Sequence, residues 1–214
     1  MYRHIVRKPY QCTFMVFKKT PQDKITFLGS GFFCHSSGYI LTCAHLIGLQ
    51  DDIRVCSSRN IDSFNHQELD FHQVAKAKIV QYSPMDDLAL LKLEKGVSTD
   101  FSNDIMDFDV ESHIGATVLY FGYPFAQEGL HTAHVSQGLI SSKIINNRGK
   151  KQYQLDAMLH EGNSGGPLVE AVTGKVIGIV CGRFSMCSLQ NNMISYAIPI
   201  SSAYELLKKE GIYV

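Results

Sequence analysis

Gly162-Asn163-Ser164-Gly165-Gly166-Pro167-Leu168 is the stretch that decides how the rest of the chain is read. A serine hydroxyl is a weak nucleophile, so chemistry at Ser164 requires an exposed turn beside a base. Gly165 and Gly166 let the backbone take shapes that a side chain forbids, and let another chain approach closely. In such a turn the backbone N–H groups of Gly162, Asn163 and Ser164 converge on one point, where an oxyanion could be held. Loss of one such donor typically costs about 100–1,000-fold in rate. Pro167 and Leu168 then open an apolar strand. The plainer alternative is a glycine-rich turn with an incidental serine.

A serine of this kind needs partners, and two stretches offer them. Leu41-Thr42-Cys43-Ala44-His45 ends an apolar strand on a histidine, whose near-neutral intrinsic pKa suits a proton acceptor. A histidine so placed is more often simply packed in a core. Met85-Asp86-Asp87-Leu88-Ala89-Leu90-Leu91 runs a carboxylate straight into an apolar strand. An acid there is costly to bury unless hydrogen-bonded, and an imidazole N–H repays that cost. Asp87 adjoins the strand and is the better candidate; Asp86 is expected to cap a turn or face water.

Around these three sites the chain reads as about a dozen short, β-rich segments cut by turn signals, which indicates a sandwich or paired barrels. The predicted strands are 12–18, 25–34, 39–42, 53–56, 74–82, 88–93, 116–121, 134–145, 153–159, 168–170, 176–181 and 192–198. Between Gly96 and His113 the apolar pattern lapses into Ser, Asn and Asp, including Asp104, Asp107 and Asp109, as in a linker between two halves. One helix is predicted, about 201–210, opened by Ser201-Ser202 and closed by Gly211, and it is expected to pack on the second half.

Composition narrows the function. The 214 residues are 45% apolar, with 20 basic and 20 acidic side chains. Zero formal charge and a pI near 7.1 remove any whole-molecule case for nucleic acid or an anionic membrane. No run approaches the ~18 apolar residues of a membrane span, and no secretory leader is visible. Six cysteines without a Cys-x-x-Cys pair, mostly among apolar neighbours, suggest free thiols packed as small hydrophobes. On that ground a cytoplasmic location is expected. His131-x-x-His134 lacks further ligands for a metal, and Gly29-Ser30-Gly31 lacks the third glycine of a dinucleotide loop. Asn146-Asn147-Arg148-Gly149-Lys150-Lys151 is read as a solvated hairpin tip.

His45, Asp87 and Ser164, in that order and in those contexts, resemble the triad of trypsin-fold serine proteases. Further motifs resemble the HtrA/DegP-like branch: Gly29-Ser30-Gly31-Phe32, Thr42 to His45, Asp87 to Leu91, Phe121-Gly122-Tyr123-Pro124-Phe125, Gly138-Leu139-Ile140-Ser141, Gly162 to Leu168, and Tyr196-Ala197-Ile198-Pro199. They span residues 29 to 199. The resemblance implies an all-β fold of two antiparallel six-stranded β-barrels with a C-terminal helix. The first barrel, residues 1–103, would carry His45 and Asp87; the second, 104–214, would carry Ser164.

The resemblance implies a serine endopeptidase acting on protein or peptide substrates, with no metal or organic cofactor. Met158, Leu159 and His160, facing Ser195, Tyr196 and Ala197, would form the pocket for the residue before the cleaved bond. With Met158 rather than an acid at the pocket base, cleavage after small or medium apolar residues is expected. Asn163 stands where secreted zymogens carry an aspartate, so proteolytic activation is not expected. No PDZ domain is expected either, the sequence running only to Val214. An activating protein partner that orders 159–162 is one expectation; a catalytically silent, protein-binding module is the alternative.

Overall fold

The computed structural model describes residues 2–20, 22, 24–49, 52–57, 61–67, 74–94, 105–109, 111–185 and 193–212. Six strands form the first sheet: β1 Thr13–Lys19, β2 Ile25–His35, β3 Tyr39–Cys43, β4 Ile53–Cys56, β5 Ala75–Ser83 and β6 Leu88–Leu93. Six more form the second: β7 Thr117–Gly122, β8 His134–Ile145, β9 Lys151–Asp156, β10 Pro167–Glu170, β11 Val176–Ser185 and β12 Met193–Pro199. Each set closes into a barrel, in the orders β1-β2-β3-β6-β5-β4 and β10-β11-β12-β9-β8-β7, with every pairing antiparallel. Closure leaves no open sheet edge.

Apolar side chains explain the closure. β6 is buried on both faces for four residues, Leu88 to Leu91, because the barrel interior lies on one side and neighbouring elements on the other. β8 instead alternates, with Val135, Leu139 and Ile145 outward and Ile140 inward. The strand predicted over 153–159 stops at Asp156, and the chain then turns to carry the segment leading into Gly162. The expected boundary at 103/104, with Gly96 and Asp104, lies outside the described residues. Met106 is buried and bridges in parallel to Val176, while Asp109 is exposed.

Three helices accompany the barrels: α1 Arg3–Cys12, α2 Ala44–Ile47 and α3 Tyr204–Lys209. The sequence reading missed α1 because Pro9 sits inside it, removing a backbone donor. Near its C-terminal end, the Thr13 hydroxyl donates to the Pro9 carbonyl (2.7 Å). Ile5 of α1 lies against Gly174 in the turn between β10 and β11, so the N-terminal helix reaches the second barrel. The C-terminal segment makes the reverse crossing. A 3-10 turn at Ile200–Ala203 rests on β11 and β12, but α3 packs on β5 and β6, where Gln81 Nε2 donates to Glu210 (2.6 Å). The expectation that this helix packs on the second barrel is therefore corrected: the 3-10 turn rests there, and the helix itself packs on the first. Leu206 and Leu207 bury their side chains in the core that both barrels share.

Direct bonds also join the barrels. Tyr123, fully buried, donates its hydroxyl to the Thr13 carbonyl (3.1 Å), and the Ser30 N–H donates to the Ser164 carbonyl (2.8 Å). At the surface, Asp86 accepts from Ser83 (2.6 Å) and pairs with Lys150 of the hairpin tip, so it faces a partner rather than water.

Candidate active site

Asp87 is the only non-glycine residue with positive φ (+53°) among the described residues, a conformation that short polar side chains tolerate best. It closes the turn between β5 and β6, directing its carboxylate at the start of α2 rather than into β6. There Oδ1 accepts the His45 N–H (2.8 Å), and the Asp87 carbonyl accepts the Ala44 N–H (3.1 Å). His45 Nδ1 lies 2.7 Å from Oδ2. The acid thus fixes both the backbone and the ring of His45.

Ser164 comes from the other barrel. The turn that carries it is locked by hydrogen bonds: Gly165 N–H to the Val180 carbonyl (2.7 Å), Gly166 N–H to the Asn163 carbonyl (3.0 Å), and Ser30 Oγ to the Gly162 carbonyl (2.7 Å). Gly165 sits at φ +86°, and a Cβ there would overlap the Ser30 carbonyl oxygen; at Gly166 one would overlap the Phe121 carbonyl. These glycines are required by close backbone approach. Ser30, in the Gly29-Ser30-Gly31 motif, is wholly buried behind the turn, not exposed in a cleft.

His45, Asp87 and Ser164 meet on one cleft of about 700 Å³, together with Phe27, Leu28, Leu46, Gln127 and Glu161. His160, Gly162, Cys181, Gly182 and Tyr196 complete its lining. Of the six pocket residues predicted, only His160 and Tyr196 reach this cleft. Met158 is 71% exposed, so it forms no pocket base; Leu159 and Ala197 are buried in the second barrel's core, and Ser195 Oγ is spent on the Ala157 carbonyl (2.6 Å). The reason is the strand ending at Asp156, which changes which side chains face inward.

Two hydrogen bonds show the resting state of the serine turn. Ser164 Oγ donates to the Cys181 carbonyl (2.9 Å). The Ser164 N–H is held by the Glu161 carbonyl (3.2 Å), within a 3-10 turn at Glu161–Asn163. His160 and Asn163 clasp that turn reciprocally, the Asn163 side-chain oxygen accepting the His160 N–H (2.9 Å). The Asn163 N–H itself donates to the His160 carbonyl (2.9 Å).

Cys181, which the sequence reading treated as core, is part of the site. Its thiol donates to Asp87 Oδ2 (2.8 Å) and lies 3.2 Å from the Tyr196 hydroxyl. No local pattern in the sequence marks it; only the folded β11 brings it beside Ser164. The Asp87 hydrogen bond, with a further one from Cys181, raises the His45 pKa to about 10 against the opposing effect of burial. Partial burial works against the Asp87 carboxylate, but the bonds from His45 and Cys181 outweigh it and hold its pKa below the usual aspartate value.

Comparison with known proteins places this geometry. The model of the trypsin-like peptidase domain matches residues 29–179, a span holding all three of His45, Asp87 and Ser164. The chain belongs to the trypsin-like peptidase family. A periplasmic DegP-like serine endoprotease of Pseudomonas putida is 34% identical over 197 residues, covering 89% of this chain and 36% of that protein. The serine endoprotease DegS of Haemophilus influenzae is 31% identical, covering 88% of this chain and 51% of its own. The chain thus spans between a third and a half of these relatives. Among solved structures, the serine endoprotease of Yersinia pestis superposes with a TM-score of 0.74 at 27% identity, over 98% of this chain and 66% of that one.

These relatives overturn the expected cytoplasmic location, since the DegP-like proteins are periplasmic enzymes by name. All five described cysteines are buried and outside any disulfide, but a thiol sealed in a core reports packing and not compartment. Cys187 lies outside the described residues. His131 and His134 join no group of metal-ligating side chains among the described residues.

Proposed function

We propose that this chain is a serine endopeptidase whose oxyanion site assembles only when substrate or a protein partner engages the cleft. His45 takes the Ser164 proton as the hydroxyl attacks a peptide carbonyl, and Asp87 orients the ring and stabilises the imidazolium. The acyl-enzyme is then hydrolysed by water, with His45 returning the proton. The carrying observation is the His45–Asp87 hydrogen bond facing Ser164 across one cleft between two barrels.

Gating is supported by the resting bonds of the serine turn. Two changes are needed before turnover. The Glu161–Gly162 peptide turns over, which withdraws the Glu161 carbonyl from the Ser164 N–H and presents the Gly162 N–H beside it. The Ser164 hydroxyl rotates from the Cys181 carbonyl toward His45 Nε2. Occupation of the site by a substrate oxyanion rewards the first change, because the freed Ser164 N–H regains a strong, charged acceptor, while the rotated hydroxyl gains neutral His45 Nε2 in place of the Cys181 carbonyl.

Specificity for small or medium apolar residues belongs to the same reading. Around Ser164 the cleft offers Gly182, Cys181 and the Tyr196 ring, and its acids are Asp87, engaged by His45, and Glu161, in the gating turn. A peptide-library profile dominated by Arg or Lys contradicts this.

Fluorophosphonate labelling of purified protein, with and without native cell extract, tests the whole reading, with Ser164→Ala as the control. Labelling that appears or strengthens with extract, and disappears in Ser164→Ala, is expected. Equal labelling in both conditions removes the gate, and no Ser164-dependent labelling in either leaves a protein-binding module.

A further inference from the structure

Cys12, Cys34 and Cys56 fit the role of small buried hydrophobes, but Cys43 and Cys181 do not. They come from different barrels, from the end of β3 and from β11, and their Sγ atoms lie within 4.8 Å of each other. Cys181 in turn donates to Asp87 Oδ2 (2.8 Å), which also accepts from His45 Nδ1 (2.7 Å). One sulfur, nitrogen or oxygen atom from each of Cys43, His45, Asp87 and Cys181 therefore lies within 4.8 Å of every other. No other such group occurs among the described residues.

The geometry points to a tetrahedral site for a soft divalent cation of the zinc kind, formed by Cys43 Sγ, His45 Nδ1, an Asp87 carboxylate oxygen and Cys181 Sγ. Two thiolates, an imidazole and a carboxylate are a zinc-type donor set, unlike the all-oxygen sets of calcium or magnesium. Zinc bonds of ~2.0–2.3 Å give tetrahedral edges of roughly 3.3–3.8 Å. The hydrogen-bonded contacts need only open by about 0.5–1 Å to admit the ion. The ion replaces the protons that now link these groups: both thiols and the His45 Nδ1 release theirs to solvent, and the ring keeps its Nε2–H. Entry is open: the His45 ring is 47% exposed, and Asp87 and Cys181 line both the cleft and a second hollow of about 600 Å³ behind it. An outer shell is already present. Tyr196 OH lies 3.2 Å from Cys181 Sγ, where it can donate to the thiolate.

Occupation replaces the Nδ1–H···Oδ2 hydrogen bond by separate bonds from Nδ1 and the Asp87 carboxylate to the ion, and leaves the ring protonated at Nε2, where it cannot accept the Ser164 proton. The cation is then an off-switch for the peptidase proposed above, and only this consequence rests on that reading. Metal binding itself does not.

The test is a Co²⁺ titration of the full chain, stripped with chelator and kept in reductant so that the two thiols stay reduced. One equivalent is expected to bring up a thiolate-to-cobalt charge-transfer band with the visible bands of tetrahedral cobalt, both removed by Zn²⁺. Ser164→Ala should give the same spectrum, so a failed peptidase reading leaves this result standing. Cys43→Ser and, independently, Cys181→Ser should each halve the charge-transfer band and weaken binding roughly tenfold or more. Circular dichroism checks that each variant folds. A wild-type chain without the band, or a band left intact in either folded variant, overturns the site.

Discussion

Replacing Ser30 by Ala removes one hydroxyl from a wholly buried position, and its consequence follows from its bonds. Ser30 Oγ donates to the Gly162 carbonyl (2.7 Å) and accepts the Tyr123 N–H (3.0 Å). After truncation the Gly162 carbonyl loses its 2.7 Å donor, the Tyr123 N–H loses its 3.0 Å acceptor, and the bond between these two groups is long, at 3.4 Å. Two backbone groups are left poorly satisfied away from water, which costs about 1–3 kcal/mol. A central value of about 2 kcal/mol is roughly a thirtyfold change in the unfolding constant and about 4–8 °C in Tm for a chain of this size. Urea unfolding followed by circular dichroism measures it, the chain having no tryptophan. Ser37→Ala, at an exposed position, serves as the control and should stay within about 0.5 kcal/mol. Because Gly162 adjoins the peptide that must turn over, fluorophosphonate labelling of Ser30→Ala should also slow. A Ser30→Ala chain as stable as the Ser37→Ala control refutes the anchoring role.

Further perturbations separate the scaffold from the chemistry. The folded His45 pKa is raised, so the stabilisation from its pairing with Asp87 is complete below the ordinary value near 6.5 and is lost as pH rises through the folded value. Labelling of Ser164, which needs neutral His45, should therefore rise with pH along a limb above 6.5, and Asp87→Asn should move that limb down; a limb at or below 6.5 in the parent contradicts this. Leu90→Ala, at a fully buried position in β6, should cost about 2–5 kcal/mol in urea unfolding, and a loss below 1 would refute its place in a rigid core. Gly165→Ala meets both positive φ and the Ser30 carbonyl, so it should abolish labelling in any chain that still folds; retained labelling would show the turn free to relax.

Strand positions were legible because each barrel wall alternates or saturates in apolar residues, and nearly every predicted strand lies within two residues of the observed one. The serine turn was legible because close backbone approach admits only glycine at 165 and 166. α1 was not, since Pro9 argues locally against a helix that tertiary packing on the second barrel sustains. The pocket was not, because β9 stops at Asp156, three residues short of the predicted end, and the non-strand segment that follows places Met158 in solvent and Leu159 in the core.

From residue order alone came the choice of His45, Asp87 and Ser164 as the candidate reacting groups, for their local settings — glycine turn, apolar strand end, acid before an apolar strand — each carry a chemical demand. Only the folded chain decided what surrounds them. Cys43 and Cys181 lie 138 positions apart in the numbering and in different barrels, and no local pattern marks either. Barrel closure alone sets their thiols beside Asp87, and the hydrogen-bond geometry of one peptide, Glu161–Gly162, sets the resting state of the serine. Long-range contacts of this kind depend on how two closed sheets dock, a property of the assembled core that no short stretch of sequence encodes.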